Sequence, residues 1–191
     1  MVLFGTGKYL EVTDSATTAT QTIYGVRDDG SGTAVPVSKL QVQTMSGTDR
    51  TISNAPIDWT TQKGWYLDLS SGERLTGVPK LVNGNFFFNT LIPSTALCTP
   101  GGTGWLMAID GLTGTQPSVP VFDNNNDGVF DSGVGGINIG AAIGGTTFIR
   151  GAAGSSAGLG IASLTSGTLA TPRINFDSLS SGRVNWREIL R

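Results

Sequence analysis

Residues 122 to 133 read FDNNNDGVFDSG and set Asp123, Asp127 and Asp131 at intervals of four, with Asn125 midway between the first two. Calcium takes six to eight oxygen ligands, from carboxylates, amide or backbone carbonyls and water, so a binding loop must converge several oxygens within a few residues. Counted from Asp123, side-chain oxygens fall at positions 1, 3, 5 and 9 of such a loop. Gly128 at position 6 permits the sharp turn, and Val129 at 7 offers its carbonyl. The expected ligands are therefore Asp123, Asn125, Asp127, Val129 and Asp131, with Asn124 and Asn126 as spacers and Phe130 as an apolar anchor. Val134 stands at position 12, where a full loop of this kind carries a bidentate Glu, so the expected affinity is modest. Three carboxylates and an amide suit calcium better than magnesium, whose smaller octahedral shell keeps its waters. The same composition also suits a polar turn that bonds its own backbone. The coincidence of the one-in-two spacing, the glycine and the ninth-position Asp favours the ion.

The remaining inventory is poor in catalytic groups. The chain has no histidine, which removes the commonest general base and metal ligand, and with it every Ser-His-Asp, Cys-His and zinc-His site. Carboxylates, Lys, Tyr and the single Cys98 remain, none in a recognisable motif, so no enzyme activity is expected. Asp58, Asp68 and Glu73 read as solvated loop or turn residues. Cys98 makes no internal disulfide and reads as a small buried hydrophobe, with a reactive thiol or a partner outside the segment as alternatives. Twelve basic against 14 acidic residues leave a net charge of -2. That gives no basic face for a phosphate backbone, and nucleic acid is not an expected partner. No run approaches the roughly 20 apolar residues of a membrane helix, and MVLFGTGKYLEV lacks the basic and apolar regions of a signal peptide.

The elements that must hold the loop are strands. Among 191 residues are 28 glycines and 8 prolines, with only 14% charged residues, the composition of short strands joined by tight turns. Three segments repeat an apolar run followed by a polar turn: TIYGVRDDGSGTAV at 22 to 35, GWYLDLSSGERL at 64 to 75 and GWLMAIDGLTGTQP at 104 to 117. Their turn glycines, Gly32, Gly72 and Gly114, lie 40 and 42 residues apart, close to the length of a four-stranded propeller blade. Further strands are expected at KLQVQTM (39 to 45), PKLVNGNFFFNTLI (79 to 92) and GTTFIRG (145 to 151). The second is a hairpin turning at Asn83-Gly84, whose Phe86, Phe87 and Phe88 fill space between sheets. Trp59, Trp65 and Trp105 are expected to cover sheets with an indole N–H on a loop carbonyl, a sugar-stacking platform being the alternative. Residues from about 133 to 160 are rich in Gly and Ala and read as a long excursion with mobile parts. The tail, with Trp186 and Ile189 as anchors, reads as a closing strand. The expected fold is all-β: one domain over residues 1 to 191, a partial β-propeller of about four blade-like antiparallel units, with the calcium loop after the third repeat.

Several stretches, taken in order, carry a family resemblance. LFGTGKYLEVTD at 3 to 14, QTIYGVRDDG at 21 to 30, KGWYLDLSSGER at 63 to 74, CTPGGTGWLMAIDGLTG at 98 to 114, the acidic loop and GRVNWREIL at 182 to 190 resemble the C-terminal propeller domain of the PilC/PilY type IV pilus proteins. Those are tip-associated adhesins and assembly factors of Gram-negative bacteria. The resemblance implies a modified, often seven-bladed propeller whose calcium, held by Asp123, Asn125, Asp127, the Val129 carbonyl and Asp131, influences pilus extension, retraction and adhesion. It implies partners among the minor pilins of the tip complex, with a host or surface receptor as a further candidate that the resemblance does not carry over, and a location at the pilus tip, outer membrane or periplasm. Family members are much longer, with a signal peptide and a variable N-terminal region, so the chain is expected to be a C-terminal piece. The Arg-Gly-Asp tripeptide of some members is absent from this sequence. Two other readings compete. LMAIDGLTG also resembles the blade repeats of pyrroloquinoline quinone dehydrogenases, although the Trp those repeats carry after the glycine is missing after Gly114. Tryptophans together with calcium would suit a lectin-type propeller.

Overall fold

The protein is described by a computed structural model over residues 1–94, 101–152 and 155–176; Cys98 and the expected closing strand around Trp186 and Ile189 lie outside the described residues. Strands run in the order β1 (Val2–Gly5), β2 (Thr22–Val26), β3 (Gln41–Gln43), β4 (Met45–Ser46), β5 (Thr51–Ile52), β6 (Gly64–Asp68) and β7 (Arg74–Val82). They continue with β8 (Asn85–Ile92), β9 (Thr103–Asp110), β10 (Gly136–Asn138), β11 (Ile143–Arg150), β12 (Ala157–Leu164), β13 (Leu169–Ala170) and β14 (Arg173–Asn175). Helical structure among the described residues is confined to two 3-10 turns, Val12–Ala16 and Val37–Lys39. The chain is all-β, as its glycine content and short apolar runs require.

Among the described residues, three four-stranded sheets carry the architecture, with β4 and β5 forming a separate ribbon. The first sheet runs β1-β2-β6-β3, the second β10-β9-β8-β7, and the third β11-β12 with β13 and β14 sharing the far edge of β12. All pairs are antiparallel except β3 with β6. The 40-residue repeat therefore does not mark one blade per repeat. Its first two strands, β2 and β6, are neighbours in one sheet, with Tyr24 opposite Tyr66. The turn glycines Gly32, Gly72 and Gly114 all adopt positive φ, as their turns require, although the strands they follow do not each found a sheet.

The second sheet is buried on both faces, and the three consecutive phenylalanines show how. Successive side chains on a strand point to opposite faces, so Phe86 and Phe88 join Ile23, Trp65, Leu67, Met107 and Ile109 in one core against the first sheet. Phe87 turns the other way, to Leu106, Ala108, Phe122, Ile143, Ala162 and Ile174 against the third. A continuous apolar run is the sequence signature of a strand covered on both sides. Each fully buried Phe contributes about 1.5–3 kcal/mol relative to exposure. The hairpin that presents them closes at Asn83 (φ 52) and Gly84 (φ 82), the two left-handed positions that a two-residue turn of this twist demands.

Residues 133–160, expected as an excursion, instead hold β10, β11 and the start of β12. Small residues here serve packing: Gly158 lies under Phe176 and against the Ile149 carbonyl, where a Cβ would overlap both. Read alone, the Gly and Ala suggested looseness; in the sheet they permit close approach.

Glu73 is a second departure. It is fully buried, not solvated, and pairs with Arg50, itself only 6% exposed. The Arg50 guanidinium donates to both Glu73 oxygens, and the Thr90 hydroxyl and Ser70 N–H donate to the same carboxylate. Arg50 also lies 3.9 Å from the centroid of the Trp105 ring. Its left-handed backbone (φ 52) at the end of the β4–β5 turn aims the side chain inward.

Asp58 is exposed, as expected, and Asp29 is exposed with it; both organise turns. The Thr60 hydroxyl, then the Thr60 N–H and the Thr61 hydroxyl, hold the Asp58 carboxyl below its usual value of 3.8. Ser31, then Lys63 at 3.1 Å, does the same for Asp29. A depressed folded pKa contributes stability that is present above the unfolded value and is lost as pH falls through the folded one. Urea titrations between about pH 5 and pH 2 should therefore show falling stability, and Asp58→Asn should flatten part of that slope. An unchanged slope would mean that Asp58 is equally well hydrogen-bonded in the unfolded chain.

Candidate metal loop

The acidic loop is rooted in the core at both ends. Val121 and Phe122 are buried, Phe122 bridges Ile174 of β14, and the Asn175 N–H donates to the Val121 carbonyl at 2.8 Å. At the exit Val134 is buried in the core between the second and third sheets, and the neighbouring Gly135 carbonyl accepts the Ala108 N–H at 3.0 Å. This explains the missing Glu at position 12. That position belongs to the core, where a carboxylate would have to be paired or neutralised.

Between these anchors Asn124 to Val129 are exposed. The Asp123 side chain at the root is fully buried. Its Oδ1 accepts the Asp127 N–H at 3.1 Å and its Oδ2 the Gly128 N–H at 3.0 Å. Asn125 Oδ1 accepts the same Asp127 N–H at 3.0 Å, and Asn125 Nδ2 donates to Asp127 Oδ2 at 3.0 Å. Asp127 Oδ1 accepts the Val129 N–H at 2.7 Å. On the far side Asp131 Oδ2 accepts the Asn124 N–H at 2.8 Å, while the Asp131 N–H donates to the Phe122 carbonyl. The chain curls because Asn126 (φ 59) and Gly128 (φ 94) both take left-handed backbone.

The structure thus gathers Asp123, Asn125 and Asp127 at one end and ties Asp131 across the loop. Among the described residues, no three His, Cys, Asp or Glu side chains converge tightly enough to form a metal cluster. The donor set still fits a hard cation: every candidate ligand is oxygen, and an ionised carboxylate offers about four acceptor sites, so N–H bonds to one leave lone pairs for an ion. Phe130, expected to turn inward, is half-buried. Asn124 and Asn126 do more than space the ligands. Asn124 Nδ2 donates to Asp49 Oδ1 at 3.2 Å, and Asn126 supplies a backbone conformation that Asn tolerates better than most residues.

One functional neighbour has no local signal in the sequence. Arg173 of β14 places Nη1 3.4 Å from Asp123 Oδ2, fifty positions away along the chain. Pairing of β14 with β12 brings Arg173 opposite Leu159, and the Phe122–Ile174 bridge sets it beside the loop.

The other candidate sites resolve differently. Trp65 is fully buried, with its indole N–H reaching the Gly111 carbonyl at 3.4 Å, as expected of a sheet-covering ring; it presents no platform. Trp105 is half-buried and already faces the Arg50 guanidinium. Asp110, in the segment that resembles quinone-dependent repeats, uses Oδ1 to accept the Leu112 and Thr113 N–H groups and the Thr113 hydroxyl. It caps a turn.

No family profile matches the chain. Individual relatives do. The chain is 33% identical over 163 residues to the type IV pilus biogenesis factor PilY1 of Pseudomonas aeruginosa, an alignment covering 69% of this chain and 14% of that protein. It is 30% identical, along its whole length, to a PilY1 homolog of Xylella fastidiosa, of which it covers 16%. The crystal structure of the P. aeruginosa PilY1 C-terminal domain superposes on 92% of this chain with a TM-score of 0.68 and 26% identity. The chain belongs to the PilC/PilY family. Its sheets are those of the family's C-terminal β-propeller. The chain corresponds to 42% of that solved domain, and to about a seventh of the length of the PilY1 proteins it matches. The order of motifs along the sequence and the tertiary structure thus agree on the family.

Proposed function

We propose that this chain is a non-catalytic, calcium-binding surface module of a type IV pilus biogenesis factor, in which the ion sets the arrangement of an exposed loop that the pilus tip complex or a surface receptor engages. The observation that supports it is the loop itself. Five candidate oxygen donors, from Asp123, Asn125, Asp127, Val129 and Asp131, sit on one excursion between two core anchors, exposed from Asn124 to Val129, in a chain related along its full length to a PilY1 homolog. Such a loop can change without disturbing the sheets. An ion that favours one loop arrangement shifts its population by the difference in affinity and by no more. The ion would be held by the carboxylates and the Asn125 amide, and it would supply a fixed positive charge at the exposed tip.

Calorimetry with calcium on this chain tests the metal. The parent should give saturable heat at millimolar ion or below, and Asp127→Ala should weaken binding by at least about tenfold, because a charged ligand at the loop's turn is lost. A parent silent at millimolar calcium would end the metal reading. The pilus reading is tested separately, by placing Asp127→Ala in the full-length protein in its host. Altered surface piliation or pilus-driven motility, with unchanged protein level, is the expected result.

A further inference from the structure

The cation paired with the loop's root comes from outside the loop. Arg173 lies 3.4 Å from Asp123 Oδ2 with its side chain 39% exposed, while the Asp123 side chain has no exposure at all. Its guanidinium also rests against the loop's turn, where a Cβ added at Gly128 would lie 3.1 Å from Arg173 Nη1. Gly128 is thus favoured for its left-handed backbone angle, and a side chain there would press on the guanidinium. The placement is rigid at its base. Arg173 stands on β14, whose Ile174 is buried and bridged to Phe122, and whose Asn175 bonds the backbone of Pro120 and Val121. One strand therefore fixes both the root of the loop and the cation beside it.

A buried carboxylate requires a positive partner or strong donors. Asp123 has both, two backbone N–H groups and Arg173. We propose that Arg173 is a tethered cation that balances Asp123 in the absence of metal and competes with calcium for it. The inference rests on the calcium reading and names what tunes that site. A divalent ion drawn to Asp123 meets the guanidinium charge at close range, and binding requires Arg173 to swing outward, which its partial exposure permits. Arg173 thereby lowers calcium affinity. It also gives the ion a second effect, since the released guanidinium becomes a new positive group on the exposed surface beside the loop.

The test compares calcium binding by the parent, Arg173→Gln and Arg173→Lys, using calorimetry on the 191-residue chain with melting curves in chelator to confirm folding. Arg173→Gln should bind calcium about two- to fivefold more tightly than the parent, the scale of a partly exposed ion pair. Arg173→Lys, which keeps the charge, should stay near the parent. The gap between Gln and parent should narrow from about 0.05 M to 0.5 M salt as screening grows. In chelator, Arg173→Gln should melt below the parent, because Asp123 loses its partner. Equal or weaker binding by Arg173→Gln overturns the competition while leaving calcium binding in place, and so does Arg173→Lys binding as tightly as the Gln variant. Silence from the parent and both variants fails the calcium reading, and the competition with it.

Discussion

Glu73→Ala is expected to destabilise the protein by about 3–5 kcal/mol, because it leaves the Arg50 guanidinium charged, buried and unpaired. The pair lies at the centre of a network: Arg50 donates to both Glu73 oxygens, Thr90 and Ser70 donate to the same carboxylate, and Trp105 covers the guanidinium. Removing one member leaves several polar groups without partners, each costing about 1–3 kcal/mol when buried. A domain of ordinary stability holds only about 5–15 kcal/mol in total, so the variant should sit near the edge of folding. Urea denaturation followed by circular dichroism measures the loss. The double replacement Arg50→Met with Glu73→Leu should recover much of it, since an apolar pair of similar volume leaves no charge to satisfy. A Glu73→Ala variant within 1 kcal/mol of the parent would mean that water reaches Arg50, and that the network is not a buried one.

Trp65→Ala is expected to cost about 3–5 kcal/mol, the range for emptying a core position of an aromatic ring. Trp65 is fully buried between the first two sheets, among Ile23, Leu67, Phe86, Phe88, Met107 and Ile109. Two glycines make room for it. A Cβ added at Gly25 or Gly114 would overlap the indole, and Gly114 also holds a left-handed backbone at φ 68. Gly114→Ala should therefore destabilise by itself, and its cost should shrink in the Trp65→Ala background, where the ring is gone and only the backbone strain remains. The same urea measurements give both values. Strict additivity of the two replacements would show that the clash with Trp65 contributes nothing.

The parts of this protein legible in its sequence are those set by short-range rules. Asn83-Gly84 specifies its hairpin because both residues tolerate positive φ, and the structure shows both there. Phe86, Phe87 and Phe88 were legible as filling between sheets, because a strand with apolar residues on both faces has to be covered twice. The curl of the acidic loop follows from Asn126 and Gly128 together with the acceptors at Asp123, Asn125 and Asp127. Other features depended on contacts that no local pattern encodes. Glu73 looks like any turn acid until Arg50 arrives from the β4–β5 turn. The 40-residue glycine spacing suggests one blade per repeat, yet β2 and β6 pair within one sheet, and β3 joins the other edge of β6 in parallel. Residues 133–160 looked loose because glycine is read for its freedom before its small size can be seen to matter.

The sequence by itself determined the all-β class, the turns, the family and the oxygen donors offered to a cation. The class, the turns and the donors depend on residue type at short spacing, where backbone geometry leaves few choices, and the family on the order of such motifs along the chain. Tertiary structure alone decided what surrounds those donors. Val134 is apolar because the core takes the position where a twelfth-residue ligand would stand. Arg173 faces Asp123 because a strand fifty residues later returns beside the loop's root. Charge interactions depend on distance through space, and sequence separation carries no information about that distance until the sheets have assembled.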